Sequence, residues 1–157
     1  MPGIRRLTAE DDAAAEALLR RAFADYVRRL GRAPRDDLDR AAEARAKGGL
    51  AMGVEEDGRL LAVATLHPQE EEAGVWLLSH LGVDPDRQGE ALGDRLLDAA
   101  EAGLAAEGAE RLQLVTAAFR DDLVGFYARR GFEIVRRGPP ERGEDPHERV
   151  RMEKRLA

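Results

Sequence analysis

The apolar positions of this chain follow two repeats, one typical of helices and one typical of buried strands. Apolar residues three and four positions apart predict amphipathic helices, and Gly, Pro and capping residues mark their ends. They predict four helices: Thr8–Leu30 with Thr8 as its N-cap, an Ala-rich helix over Arg35–Lys47, a helix from Leu92 to near Gly108, and a short helix over Asp122–Arg130. Gly131 directly follows the last of these, where a glycine often closes a helix.

Seven other segments are dense in apolar residues or alternate between apolar and polar ones, as strands do. They are Ile4–Leu7, Leu50–Glu55, Arg59–His67, Gly74–Val83, Arg111–Ala117, Phe132–Arg137 and Val150–Arg155. The fourth is apolar enough to lie centrally, and the helix between it and the fifth implies a parallel pair with a crossover. The chain therefore predicts an α/β (α+β) fold, with a mixed sheet of about seven strands flanked by about four helices.

Composition and charge narrow the function classes. The 157 residues include no cysteine, which excludes disulfides and a cysteine nucleophile, and the three histidines are too widely spaced for a local metal motif. A net charge of −6 weighs against a nucleic-acid binder. No apolar run is long enough to span a bilayer, and the N-terminus lacks the apolar centre of a secretory signal. We expect a single cytoplasmic domain over residues 1–157, without a membrane or nucleic-acid partner.

The segment Gln88–Gly93 is a short turn rich in small residues between the dense fourth strand and an amphipathic helix. A helix that opens from such a turn presents unpaired backbone N–H groups and the positive end of its dipole, which suits a phosphate. Taken alone, the same pattern is equally typical of a tight strand-to-helix connection without any nucleotide.

Two motifs together resemble a known family. The turn Gln88-Gly89-Glu90-Ala91-Leu92-Gly93 resembles the pyrophosphate-binding loop of the GNAT superfamily of N-acetyltransferases, roughly Gln/Arg-x-x-Gly-x-Gly/Ala. The segment Arg120–Phe132, RDDLVGFYARRGF, resembles the second signature of that superfamily, an apolar residue followed by Tyr-x-x-x-Gly-Phe. With the closing strand HERVRMEKRL, these features occur in the family's order, and the chain is identified as a member of the bacterial type.

This resemblance implies a fold, a reaction and a set of binding residues. The parallel strands would splay apart at their C-terminal ends, and acetyl-CoA would enter there as co-substrate. Its acetyl group would pass to a primary amine of a small molecule or peptide by direct attack in a ternary complex, and a homodimer is common in the family. The implied cofactor-binding residues are Leu81, Gly82, Val83, Gln88, Gly89, Glu90, Ala91, Leu92, Gly93, Asp94, Arg120, Leu123, Phe126 and Tyr127.

The catalytic groups are less clear from the sequence than the binding loop. Tyr127 is the candidate acid for the departing thiolate, because a phenol stays protonated at neutral pH. His80 is the candidate base, with a water relay to solvent as the alternative, and it is expected on the opposite face from Ser79 unless a bulge intervenes. Glu70–Glu72 is expected to be either a solvated loop or the mouth of an acceptor site.

The charges of the binding loop depart from the family pattern. Glu90 and Asp94 stand where basic residues are common. A carboxylate about 6 Å from a phosphate charge costs roughly 0.7 kcal/mol even at the dielectric constant of water. Arg87 and Arg95 are the candidates to offset that repulsion.

Two further departures concern the backbone and the neighbouring helix. Ala91 replaces the usual middle glycine, at little cost if its φ is negative and with strain if its φ is positive, and Arg120 replaces a common Asn. These departures leave a second function open, a GNAT-fold module that binds acyl-CoA or a partner with little or no catalysis. They also leave open an unrelated α/β domain, which would lack the splayed parallel pair.

Overall fold

The computed structural model describes residues 2–31, 38–139 and 147–156. Their backbone forms one seven-stranded sheet in the order β1-β2-β3-β4-β5-β7-β6. The strands are β1 Gly3–Arg6, β2 Leu50–Glu56, β3 Arg59–Pro68, β4 Val75–Val83, β5 Arg111–Ala117, β6 Glu133–Gly138 and β7 Arg149–Arg155. The predicted fold class is confirmed, and every predicted strand is present to within one or two residues.

All four predicted helices are present, although the first two begin later than predicted. They are α1 Asp12–Leu30, α2 Arg40–Ala46, α3 Leu92–Ala106 and α4 Asp121–Arg129. Thr8 and Asp11 form a capping box ahead of α1, through a short 3-10 turn. Within the described ranges, no helix is long and apolar enough to cross a membrane.

The second helix begins later than Arg35, the predicted start. Residues 35–37 lie outside the described ranges, and Leu38 and Asp39 are not helical. Asp39 instead caps α2, because its side chain accepts a hydrogen bond from the backbone N–H of Ala42. A capping residue has non-helical dihedral angles, so an Asp at this position ends the helix on its N-terminal side.

The sheet divides the hydrophobic core into two parts, one on each face. On one face, α1 and α2 pack Leu18, Leu19 and Ala41 against strand residues that include Val63. On the other face, buried residues of α3 and α4 join a larger cluster with β3, β4, β5 and β7. We call these the α1/α2 face and the α3/α4 face.

The parallel pair of strands at the centre separates along its length. β4 and β5 are paired only at Val75 to Leu77, opposite Arg111 to Gln113. Beyond Leu77 the two strands diverge, while β4 stays paired with β3 as far as Val83. One edge of β4 is therefore free of β5 in its C-terminal half, and the predicted splay is confirmed.

An irregularity in β4 changes which way its side chains point. Thr65 of β3 pairs with His80, but the next residue of β3 pairs with Leu78, so Ser79 is an extra residue. The Thr65 hydroxyl consequently lies 2.7 Å from the Ser79 Oγ and 3.0 Å from the His80 Nδ1. The expectation of opposite faces for Ser79 and His80 is wrong, because the bulge that would overturn it is present.

Candidate active site

A cleft of about 790 Å³ lies where β4 and β5 separate. Its lining includes Phe23 and Tyr26 of α1 on one face of the sheet and Leu123 and Phe126 of α4 on the other. The cleft is thus a slot that passes between the two strands. Along it, the free edge of β4 presents backbone N–H and C=O groups that another extended chain can pair with.

The turn at the end of β4 presents a row of unpaired backbone donors to this slot. None of the described residues accepts a hydrogen bond from the backbone N–H groups between Gly89 and Asp94. Arg95 is the first residue of the turn and helix whose N–H has an acceptor, the carbonyl of Ala91. Such a run of free N–H groups at the start of a helix has the geometry and dipole that suit a phosphate.

The backbone of the turn reaches the left-handed region twice. Gly89 has a φ of 84°, and Ala91, the residue before α3, has a φ of 58° and a ψ of 28°. A left-handed alanine costs roughly 1–2 kcal/mol relative to its usual conformations. Of the two alternatives for Ala91, the strained one is therefore present.

Buried Asp84 anchors the start of this turn. Its side chain accepts hydrogen bonds from the Asp86 N–H at 2.9 Å and from the Arg21 guanidinium at 3.0 Å. Those two donors, the Asp86 N–H first, hold the pKa of the Asp84 carboxyl below its usual range. Sequence reasoning missed Asp84, whose one available signal was an Asp directly before Pro85 at a strand end.

The two carboxylates of the loop are both held by arginines. Arg87 donates to Glu90 at 2.7 and 2.9 Å, which holds the pKa of the Glu90 carboxyl below its usual range. Arg130 donates to Asp94 at 3.0 Å. The expected offset is confirmed for Arg87 and wrong for Arg95, whose guanidinium instead donates to the carbonyl of Pro2.

Arg130 does more than neutralise Asp94. It also donates to Asp98 at 2.7 Å and to Glu101 at 3.0 Å, and its side chain is only 11% exposed. The three acidic residues lie on one face of α3, and Arg130 directly follows α4. One guanidinium therefore ties α3 to α4 beside the turn, a contact that no local motif indicates.

Arg120 lies at the N-terminal end of α4, where the family commonly has Asn. Its guanidinium donates twice to Asp122, at 3.0 Å each, and lies 5.2 Å from the centre of the Tyr26 ring. Arg120, Asp122 and Tyr26 all line the cleft. Arg120 thus joins α4 to α1 across the slot.

Tyr127 lies in the slot but is almost entirely buried. It is 6% exposed, and its ring packs edge-on against Phe126 at 5.2 Å and Phe132 at 5.5 Å. None of the described residues shares a hydrogen bond with its hydroxyl. Burial raises the pKa of Tyr127 well above its usual value, so the phenol is protonated at every working pH.

His80 lies on the α1/α2 face of the slot, with its ring 6.2 Å from that of Phe23. Burial, together with the positive charge of Arg40, lowers the pKa of His80 to about 4. The imidazole is therefore neutral at pH 7, and it holds a proton only weakly. Its Nδ1 is engaged with Thr65.

The slot brings together nearly all of the predicted site residues. Those that line it are His80, Leu81, Gly82, Val83, Gln88, Gly89, Ala91, Leu92, Gly93, Asp94, Arg120, Leu123, Phe126 and Tyr127. Glu90 does not line it, because its carboxylate turns to Arg87. Glu70, Glu71 and Glu72 are exposed and lie outside the slot, and Glu72 pairs with Arg111.

Sequence reasoning missed the residues that line the slot from other elements. They are Ala22, Phe23, Tyr26 and Val27 of α1, Arg40 of α2, Leu78 and Ser79 of β4, Leu114, Val115 and Thr116 of β5, Arg87, Asp122, Arg129 and Arg149. Helical spacing marks the α1 group only as a core-facing stripe. Its contact with the slot depends on how α1 lies across the sheet, which spacing along one helix does not indicate.

Comparison with known proteins gives a consistent result. The chain matches the sequence model of the acetyltransferase (GNAT) family over residues 14–132. It is 37% identical over 127 residues to the mycothiol acetyltransferases of Clavibacter sepedonicus and Clavibacter michiganensis, a match that covers 80% of this chain and 40% of each relative. The chain therefore spans about 40% of the length of these curated relatives.

Solved structures share the fold over its whole length. The ribosomal-protein-S18-alanine N-acetyltransferase of Escherichia coli has a TM-score of 0.81 at 22% identity, covering 100% of this chain and 95% of that one. The PaiA N-acetyltransferase of Thermoplasma acidophilum, in complex with coenzyme A, has a TM-score of 0.76 at 18% identity, covering 99% of both chains. A protein of Elizabethkingia anophelis with acetyl-CoA bound has a TM-score of 0.74 at 15% identity, covering 99% of this chain and 98% of that one.

Proposed function

This chain belongs to the acetyltransferase (GNAT) family, and from that membership and the geometry of the slot we propose that it transfers an acetyl group from acetyl-CoA to a primary amine, by direct attack in a ternary complex. The observation that carries the proposal is the slot itself. It crosses the sheet between the unpaired halves of β4 and β5, with a row of free backbone N–H groups at one mouth.

The residues of the α3/α4 face fit the donor substrate. The free N–H groups from Gly89 to Asp94 suit the diphosphate, and the edge of β4 at Leu81 to Val83, which β5 does not pair with, suits the amide groups of pantetheine. Leu123 and Phe126 supply apolar contacts along the same wall. We call this wall of the slot, formed by the turn and α4, the donor side.

Bound acetyl-CoA supplies a thioester whose carbonyl carbon accepts the amine and whose thiolate leaves. Tyr127 is the proposed acid, because its phenol lines the slot, stays protonated and has no described partner to compete for its proton. Its hydroxyl can donate a hydrogen bond to the departing sulfur, which carries negative charge only as the bond to carbon breaks.

The amine would arrive from the opposite wall, which we call the acceptor side and define as Phe23, Tyr26, Arg40 and His80. His80 is neutral and can accept a hydrogen bond from the amine. With a pKa of about 4, it would pass the amine's proton on rather than keep it. A water relay to solvent is the alternative for this step, and it needs no basic side chain.

The acceptor is proposed only as a primary amine of a small molecule or peptide. The curated relatives are named for mycothiol and the structural neighbour for an alanine of a ribosomal protein, two different classes. The proposal also treats residues 1–157 as one cytoplasmic acetyltransferase domain that can form a homodimer, with no membrane or nucleic-acid partner. Light scattering of the purified chain checks the assembly.

A module that binds acyl-CoA without catalysis is the second candidate. The left-handed Ala91 and the acidic residues of the turn favour it. The arginines weaken that argument, since Arg87 and Arg130 already pair with Glu90 and Asp94. Binding of acetyl-CoA without turnover of any amine would favour the module.

Calorimetry with acetyl-CoA, at low and moderate salt, followed by a free-thiol release assay against a panel of amines, tests the proposal. Two matched variants sharpen it, because Gly89 and Gly58 are both left-handed glycines in open space, at φ of 84° and 78°. We expect Gly89→Asp to abolish acetyl-CoA binding and Gly58→Asp, in the β2–β3 turn, to leave it unchanged. If millimolar acetyl-CoA shows no binding, the proposed acetyltransferase function is refuted.

A further inference from the structure

The positive charges that line the slot differ in whether they are already engaged. Arg40 holds Glu16, Arg87 holds Glu90, and Arg120 holds Asp122. Arg129 also lines the slot, but it has no hydrogen bond or ion pair among the described residues. An arginine without a carboxylate partner offers its full charge and all of its donors to a ligand.

The place of Arg129 in α4 determines which part of the slot it lies near. It lies in the last turn of α4, exposed, one helical turn beyond Phe126. The Phe126 ring in turn packs beside Gly93 in the first turn of α3, where it lies 3.7 Å from the place a β carbon would take. Arg129 is therefore on the donor side, next to the turn that holds the diphosphate in the proposed function.

Gly125 lets the Arg129 guanidinium lie against α4. A β carbon at position 125 would be 3.3 Å from the Nη1 atom of Arg129. The side chain thus lies over the glycine of the preceding turn, while the residue stays exposed to solvent and to a ligand.

We propose that Arg129 binds the ribose 3′-phosphate of coenzyme A, and so makes the enzyme select the 3′-phosphorylated form of its donor. Coenzyme A carries a diphosphate and a separate 3′-phosphate, and the N–H groups of the turn suit only the first of these. The 3′-phosphate is a dianion that needs its own cation, and Arg129 is the unengaged one beside the turn. This inference rests on the proposed use of acetyl-CoA.

The surrounding charges make this role selective. Asp94, which also lines the slot, is held by Arg130 together with Asp98. A ligand that lacks the 3′-phosphate would leave Arg129 solvated and lose one charge-assisted contact. For an exposed pair of this kind we expect a five- to tenfold difference in affinity, or about 1 to 1.4 kcal/mol, that falls as salt rises.

Calorimetry with coenzyme A and with 3′-dephospho-coenzyme A tests the proposal, with acetyl-CoA turnover as a second measurement. The wild-type chain should bind coenzyme A about five- to tenfold more tightly. Arg129→Gln should weaken the binding of coenzyme A to the level of the dephospho form, raise the KM for acetyl-CoA severalfold, and leave the binding of the dephospho form unchanged. Arg28→Gln, an exposed arginine in the last turn of α1, is the matched control and should keep the preference.

Each other outcome has a definite meaning. A preference that survives in Arg129→Gln overturns the proposal while leaving the acetyltransferase function intact. Equal affinity of the wild type for coenzyme A and its dephospho form would also overturn the proposal and leave the acetyltransferase function intact. Arg129→Lys guards against a merely structural effect, since it keeps the charge and should keep a reduced preference. Failure of the wild type to bind either ligand overturns both this inference and the proposed function.

Discussion

The two sides of the slot are built in opposite ways. The donor side comes from two short segments, the turn at Gln88–Gly93 and α4, and most of its groups are backbone N–H or apolar side chains. The acceptor side is assembled from α1, α2 and β4, and its polar groups are partly buried side chains such as His80. In the proposed function, the donor substrate is thus bound by backbone groups of a local segment. The acceptor is bound by side chains from elements that are far apart in the sequence.

The largest expected effect is on the donor side, at Tyr127. Tyr127→Phe should lower kcat by about 10²- to 10⁴-fold, because phenylalanine cannot donate a proton to the leaving thiolate. Acetyl-CoA affinity should stay within about twofold, and thermal stability should not fall, since the hydroxyl has no described partner to lose. Thiol release, calorimetry and thermal melts measure the three quantities.

Tyr26→Phe on the acceptor side is the control for that change. The Tyr26 ring stacks near Phe119 and under Arg120, contacts that phenylalanine keeps. We expect turnover within about threefold of the wild type. Equal losses in the two variants would remove the distinction between a catalytic phenol and a packing one.

The next effect is a pH dependence that belongs to the acceptor side. The pKa of His80 is about 4 in the folded chain and near 6.5 when unfolded, so the unfolded state takes up the proton first on acidification. Stability should therefore fall as pH drops through this range, by up to roughly 3 kcal/mol. Denaturant titrations at several pH values give the free energy of unfolding of the wild type and of His80→Gln, and so the slope of each against pH.

His80→Gln should flatten the dependence of stability on pH that the wild type shows. The same slope in the wild type and His80→Gln would show that His80 is not buried as a neutral imidazole.

A smaller effect is expected where α3 and α4 are joined. Arg130→Gln leaves Asp94, Asp98 and Glu101 without their shared partner, and Asp94 then places an unpaired negative charge beside the turn at Gln88–Gly93. We expect a loss of about 1–2 kcal/mol in stability and a severalfold rise in the KM for acetyl-CoA. The double variant Arg130→Gln with Asp94→Asn should have the wild-type KM for acetyl-CoA. No recovery would show that repulsion between Asp94 and the phosphates is not the cause.

The smallest effect concerns strain in the turn. Ala91→Gly should stabilise the protein by about 1 kcal/mol, because glycine adopts the left-handed conformation without penalty. Ala102→Gly, at an exposed position within α3, should instead destabilise it by about 1 kcal/mol. Thermal melts of the two variants should shift in opposite directions, and a parallel shift would argue against strain at Ala91.

The fold and the donor side were accessible from the sequence because both depend on short-range patterns. Helical and strand spacing predicts the elements, and the turn residues predict where α3 begins. The start of α2 was the exception, because its Ala-rich sequence extends the helical pattern past the residue that caps it. Asp39 at that position is a cap by its hydrogen bond, which spacing alone does not reveal.

The acceptor side and the charge network were not accessible in the same way. Arg130 meets Asp94 across 36 positions of sequence, and Arg21 meets Asp84 across 63. Such partners depend on how helices lie on the sheet, so a charge that looks unfavourable in the loop motif can be neutralised from elsewhere. The face of His80 depended on one register shift, which alternation along a strand does not predict.

That register shift also determines which helix each side chain in the second half of β4 faces. Because Ser79 is an extra residue, Leu81 and Val83 point toward α3 while Gly82 points toward α1. A β carbon at Gly82 would lie 2.9 Å from a methyl group of Leu19, so α1 rests on bare backbone there. If β4 instead kept strict alternation through Ser79, Leu81 and Val83 would point into that helix, so the single extra residue at the bulge decides whether α1 can pack there.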